Sequence, residues 1–345
     1  MGSQRSSPSA AGSTSLVHRE NRREAQGAAQ AGDRRSERTD WTSHAARAAA
    51  LVFLLAAVVF LETPGGHEFF HALQKVGHSV TFGIVALLVL SFLRSRGRPL
   101  LADCCIALGV TVALGALTEV AQIYSHRDPS VIDVLRDSVG ALAALGVVLW
   151  MTSRSLGAAV VCAASVAVVM APMAVCLAAY GNRDLRYPVI WQFGSPLDLY
   201  FARDAGQGLA RVTEPARWQR GGSVEWALFV PLSTAGTPGV GLTEVYPDWT
   251  GRSRLLVELT NPLSAPVQVT LRIEDREHNQ EYTDRFNADY VIAAGSRHTI
   301  SVPLRQVEAA PRGRSMDMRH IAKLVLFRSA GSGSGFLLLN RMWLE

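Results

Sequence analysis

Charge is scarce in this chain. Only 18% of its 345 residues are Asp, Glu, Lys or Arg, where a soluble domain carries about a quarter. That deficit argues against one ordinary soluble globule. Cysteine is scarcer still. The four are Cys104, Cys105, Cys162 and Cys176, all in apolar surroundings, and the polar last half has none. They build no disulfide framework and no zinc ribbon, and they do not report the redox compartment of that half. A GxSxG elbow, a phosphate-binding loop and a dinucleotide fingerprint are also missing. The net charge is +5, but the basic excess sits in the tail and beside apolar runs, with no aromatic stripe in a basic groove. Nucleic acid is therefore not an expected partner.

What the chain has is apolar length. A membrane span takes about 20 mostly apolar residues. Five candidates follow one another: 45–61, 79–93, 100–124, 131–151 and 156–180. Pro172 lies inside the last, a position that membrane helices tolerate. Residues 1–44 hold too few large apolar side chains to bury a core and read as a disordered tail. Arg34, Arg35 and Arg38 precede the first candidate and Arg47 lies at its start, and Arg94, Arg96 and Arg98 follow the second. The positive-inside rule then makes the N-terminus cytoplasmic. Five spans put the remainder outside; four would put it in the cytoplasm.

Beyond the last span the character changes. Charged residues return, and short alternating runs appear between Gly- and Pro-rich turns. "SRLLVELTN", "VQVTLRIED", "HTISVPL", "IAKLVLFRS" and "GFLLLNRMWL" read as strands. The expected fold is an all-α membrane bundle of about five helices plus an all-β jelly-roll sandwich. The domain boundaries are 1–44 for the tail, 45–181 for the bundle and 182–345 for the sandwich.

Ionisable groups within spans are costly and so are functional candidates. They are Lys75, His78, Glu119, Gln122, Arg127, Asp133 and Asp137, which under this topology gather near the outer surface as one polar pocket. Lys75 with His78, Glu119 with Gln122, then Arg127, then Asp133 with Gly140 resemble the VanZ-like family over residues 45–151. Two positions depart from the family pattern: Gln74 stands where Asp is usual, and Asp137 where Asn is. The resemblance implies a membrane protein of the cell envelope, with a link to teicoplanin resistance and glycopeptide tolerance. As an alternative, His78, Glu119, Asp133 and Asp137 supply acid and base for a membrane enzyme acting on a lipid-linked or peptidoglycan substrate. A purely structural role for these groups competes with both, since buried ion pairs tie helices together.

"HEFFH" presents a further pattern. His67 and His71 lie one helical turn apart with Glu68 between them, as in zinc proteases where Glu is the base. No third ligand is fixed, so a metalloprotease is the lesser alternative. Neither Zn²⁺ nor Ca²⁺ is an expected cofactor.

Residues 190–345 resemble galactose-binding-like jelly rolls of carbohydrate-binding modules. The likeness rests on Asp275, Tyr282, Asp284, Arg285, Phe286, Leu304, Arg314, Asp317 and Ile321. It implies sugar recognition, which needs aromatic faces and paired polar groups. Candidate ligand residues are Tyr246, Asp248, Trp249, Asp275, His278, Tyr282 and Arg285, with Trp191 and Arg312 beside them. The expected protein is thus a multi-pass protein of a bacterial plasma membrane. Its outer sandwich binds or senses an envelope polysaccharide or lipid-linked glycan.

Overall fold

The computed structural model describes residues 45–56, 67–94, 97–123, 130–204, 209–221, 224–232, 239–328 and 335–345. The proposed tail and Arg127 lie outside these residues. Five helices come first: α1 Ala45–Ala56, α2 Glu68–Leu93, α3 Leu100–Gln122, α4 Val131–Ser153 and α5 Leu156–Arg186. Three of them, α2, α3 and α5, are long and apolar enough to cross a membrane. Of the two other expected spans, α1 is described over twelve residues only. Helix α4 has the length, but its first two turns carry Asp133, Arg136 and Asp137.

The chain divides into two compact units. One holds Gly77–Val169 and α1; the other holds Met170–Glu345 and the stretch Thr63–Val76, described from His67 onward. The division therefore falls inside α2 and α5 and not at the expected boundary of 181. In the first unit Val85, Ala86, Val89 and Leu90 of α2 cluster with Cys104 and Ala107 of α3 and with Ala141 and Leu145 of α4. Ile84, Leu87, Val110 and Leu117 are exposed on the same helices. An apolar exterior around an apolar seam is what lipid-facing helices require. A Cβ on Gly140 would fall inside the Ser79 carbonyl, so glycine is what lets α2 and α4 approach there.

The second unit is a sandwich of two antiparallel sheets. Its strands are β1 Val189–Gln192, β2 Ala202–Asp204, β3 Ala210–Thr213, β4 Trp226–Leu232, β5 Gly239–Thr243, β6 Arg254–Asn261, β7 Val267–Asp275, β8 Phe286–Ile292, β9 Ser296–Pro303, β10 Ile321–Arg328 and β11 Gly335–Leu344, with a short helix α6 Leu304–Glu308 after β9. One sheet runs β3-β4-β11-β6-β9, with β1 also pairing β11; the other runs β2-β5-β10-β7-β8. All five runs expected as strands from sequence are strands. The alternation is the cause: in β7, Val267, Val269, Leu271 and Ile273 point into the core, while Gln268, Arg272 and Glu274 lie on the other face. The core closes with Leu228, Leu255, Leu259, Leu337 and Leu339 from the facing sheet. Asn261 holds the β6–β7 turn, its amide donating to the carbonyls of Ala265, Ile292 and Ala293.

Candidate binding site

In the first unit the expected polar residues are partly gathered. Glu119, Gln122 and Asp137 are buried, and Asp133 is half-buried. Glu119 and Asp133 have local partners, whereas neither carboxylate oxygen of Asp137 has a hydrogen bond among the described residues. Glu119 Oε2 accepts the backbone N–H of Ser130 at 2.7 Å, just before α4 begins. Ser130 Oγ accepts from the Asp133 N–H and caps the helix. Asp133 pairs with Arg136 one turn on, and Ser79 Oγ donates to the Arg136 carbonyl at 3.2 Å. These contacts tie α2, α3 and α4. His78 is half-buried in the same unit, whereas Lys75 is exposed and belongs to the other. An ion pair that sequence reading missed, exposed Arg94 with buried Asp103 at 3.3 Å, joins the end of α2 to the start of α3.

The zinc-protease pattern is occupied differently. The Glu68 carboxylate, the would-be base, pairs with Arg203 of β2. Its backbone N–H donates to Glu244 Oε1 at 2.5 Å. His67 Nδ1 lies 3.6 Å from the same oxygen, and His71 is exposed. Among the described residues, no three His, Cys, Asp or Glu side chains converge as a metal site. Glu244 is the hub: it also takes the Tyr180 hydroxyl of α5, and its φ of 51° is rare for a side-chain-bearing residue. Sequence gave no signal for it.

A group of polar side chains lies where β5, β10 and β7 end. There a cavity of about 500 Å³ is lined by Tyr180, Glu244, Glu274, His278, Gln280 and Lys323, among others. Asp275 and His278, both expected, are at its wall. Asp275 is buried, and its carboxylate receives Arg314 Nη1 at 2.5 Å, Arg314 Nη2 at 2.8 Å and the Asp317 N–H at 2.8 Å. Asp284 takes the other edge of the same guanidinium, with Arg314 Nε at 2.6 Å. These bonds, with one from the Asn279 N–H, hold the Asp284 carboxyl down at about 2. The two carboxylates push the Arg314 guanidinium in the opposite direction, above its usual range.

His278 is almost fully buried. Its Nδ1 lies 2.9 Å from the Asp284 carbonyl, so Nδ1 carries the proton and donates. Its Nε2 stands 3.5 Å from Glu274 Oε1 and makes no hydrogen bond. Glu274 pairs with Arg272 and lies 3.9 Å from Arg285. Lys323, in register with Glu274 on the neighbouring strand, makes no ion pair among the described residues. Burial, and then the nearby Arg272 and Arg285, push the Lys323 ammonium below its usual range. Arg272 is lowered by burial and by Arg285. Sequence reading missed Arg272, Glu274 and Lys323. The available signal was the period of two in "LRIED", which puts Arg272 and Glu274 on one face.

The remaining ligand candidates are dispersed. Tyr282 is exposed, with the Arg285 guanidinium carbon 5.2 Å from its ring centroid. Tyr246 packs on Tyr187 at 4.1 Å between centroids. Asp248 is exposed and held below the usual carboxylate range by the Thr250 hydroxyl and N–H. Trp249 and Trp191 are buried and donate their indole N–H groups to the Tyr246 and Asp198 carbonyls. As core residues they present no stacking face to solvent. Arg312 is exposed, and its backbone N–H donates to the Thr283 carbonyl.

No protein-family model matches this chain, and no curated protein does either. Among solved structures it is similar over the sandwich to an exo-β-agarase, at 12% identity and a TM-score of 0.37, covering 46% of this chain and 24% of that one. A family 11 carbohydrate-binding module from Clostridium thermocellum, solved with a β-1,3-1,4-mixed-linked tetrasaccharide, is 15% identical with a TM-score of 0.33, covering 45% and 93%. A carbohydrate-binding module specific for non-crystalline cellulose, CBM28, is 12% identical with a TM-score of 0.32, covering 46% and 93%.

Proposed function

We propose that this is a membrane-spanning protein whose β-sandwich binds a polysaccharide in the cavity at the ends of β5, β10 and β7. One observation carries the reading. The cavity wall mixes hydrogen-bond donors and acceptors: Lys323 and the Gln280 amide on one hand, Glu244, Glu274 and His278 Nε2 on the other. A ligand rich in hydroxyls both gives and takes hydrogen bonds, and a wall of this kind answers it. Tyr180 supplies an aromatic ring in the same wall. The three apolar helices hold the binding unit at a membrane, and the extracytoplasmic side is where an envelope polysaccharide is reached. In this reading Glu119 serves to tie α3 to the start of α4, and Asp133 pairs within α4.

The test uses the full chain in nanodiscs of zwitterionic lipid, titrated calorimetrically with a panel of neutral and acidic envelope polysaccharides. Saturable binding of at least one polymer is expected. Absence of binding across the panel overturns the reading.

A further inference from the structure

The cavity at the ends of β5, β10 and β7 is not walled by strands alone. His67, one residue before α2, and Tyr180 and Arg183, near the end of α5, stand in its wall. Glu244, just past β5, holds both helix ends there. Its carboxylate takes the Tyr180 hydroxyl and the Glu68 backbone N–H, and its carbonyl takes Arg183 Nη1 at 2.9 Å. The Glu68 side chain in turn pairs with Arg203 of β2. The Tyr180 ring packs on Phe201 at 4.9 Å between centroids, and the Arg183 guanidinium carbon lies 4.8 Å from the Tyr180 centroid. All these residues belong to the compact unit that contains the sandwich.

Both helices are among the three that qualify to cross a membrane, so their lengths set the height of the wall. A hydrocarbon core of about 30 Å takes about 20 residues at about 1.5 Å each. Counted forward from Leu156, such a span of α5 ends near Val175; counted back from Leu93, that of α2 begins near Gln74. His67, Tyr180 and Arg183 then stand roughly 7 to 12 Å beyond the hydrocarbon edge, the height of lipid headgroups and of the first sugars that project from them. The composition of α5 gives the same level. Its apolar run breaks at Tyr180 and is followed by Asn182, Arg183 and Asp184, and tyrosine is a residue of that interface. At the hydrocarbon edge itself, Leu177, one turn before Tyr180, and Leu73 of α2 are exposed. Polar wall above and bare hydrocarbon below match an amphiphile: a sugar carried by a lipid presents hydroxyls at the first level and an alkyl chain at the second.

We infer that the glycan is lipid-linked. Its first sugars enter the cavity from the membrane surface, and the acyl or prenyl chain stays in the bilayer beside Leu177 and Leu73. This rests on the proposed polysaccharide binding and adds the anchor. An anchored ligand is confined to the plane in which the cavity lies, which raises its effective concentration there.

The experiment uses the full chain in nanodiscs of phosphatidylcholine. Cellotetraose, chitotetraose and galactotetraose are each offered in three forms: free, joined directly to a dialkylglycerol in the disc, and joined to it through a long polyethylene glycol spacer. For at least one sugar, the directly joined form is expected to bind at least tenfold tighter than the free form, and the spacer form no tighter than the direct one. Leu177→Gln, a change at an exposed position, narrows the gap between direct and free forms at least threefold and leaves the affinity for the free sugar unchanged. A gap untouched by Leu177→Gln overturns the inference. Equal affinity for the free and direct forms overturns it too, while leaving the polysaccharide reading intact. So does tight binding of the spacer form alone, which places the cavity away from the bilayer surface. Binding of no sugar in any form removes both readings.

Discussion

Arg314 shows how much one side chain fixes in this sandwich. Its guanidinium meets Asp275 along one edge and Asp284 along another, and Asp275 is fully buried. Removing the arginine leaves a buried carboxylate uncompensated, which costs about 3–5 kcal/mol. Arg314→Ala is therefore expected to lower the denaturant midpoint of the sandwich strongly, and Arg314→Lys to restore only part of it, because lysine lacks the two-edged fork. The pH dependence has a definite sign. Asp284 titrates near 2 in the folded chain, below its ordinary 3.8. Its contribution to stability is complete above about pH 4 and is lost as pH falls from there through 2. Melting temperatures measured from pH 5 to pH 2 should fall for the wild type and be flatter for Arg314→Ala. This much was legible in sequence, since Asp275, Asp284 and Arg314 were all marked by the jelly-roll likeness. The partners were not, because pairing across 30 to 40 residues depends on sheet register. The same limit explains Trp249: an aromatic near a turn reads alike whether it faces solvent or the core.

Among the elements, the strands with strict alternation, β6, β7, β9, β10 and β11, stood out in sequence. The missed ones are informative. Strand β4 carries Pro231 in its run, and β5 contains Gly239 and Gly241; both residue types argue against a strand when read locally. They are held by neighbours, with β5 between β2 and β10 and β4 between β3 and β11. Strand β8 was hidden by its polar outward side, Asn287 and Asp289. Helix packing in the first unit was legible at one point, the expected Gly140. The close approach of α4 to the Ser79 carbonyl leaves no room for a methyl group. Gly140→Ala should force α2 and α4 apart and lower the detergent-solubilised melting temperature by several degrees. Gly109→Ala, at a position with open space in α3, should leave it unchanged or slightly raised, alanine being the better helix former. Equal melting of the two variants would remove the tight contact from the account.

For the molecule as a whole, the number of crossings decides where the cavity opens. Among the described residues three helices qualify by length and apolarity, while the sequence offers five apolar candidates. Helix α4 is the pivot: Asp133 pairs with Arg136 in its first turns, while the buried Asp137 carboxylate has no hydrogen-bond partner among the described residues. The proposed outward placement predicts that a cysteine introduced at exposed Val224, in a chain freed of its native cysteines, reacts with a membrane-impermeant maleimide on intact cells. Protection until the cells are broken would put the sandwich in the cytoplasm, away from any envelope polymer.

The position of β11 has a consequence for synthesis. It is the strand nearest the end of this sequence, yet it lies inside its sheet, bonded to β4, β6 and β1. A ribosome that has made everything up to residue 334 has produced two halves of that sheet with nothing to join them. Residues laid down almost 150 positions earlier, at β1, must wait unpaired for the same strand. The nascent sandwich therefore cannot close in stages. Its edges in that sheet stay open until residue 344 emerges.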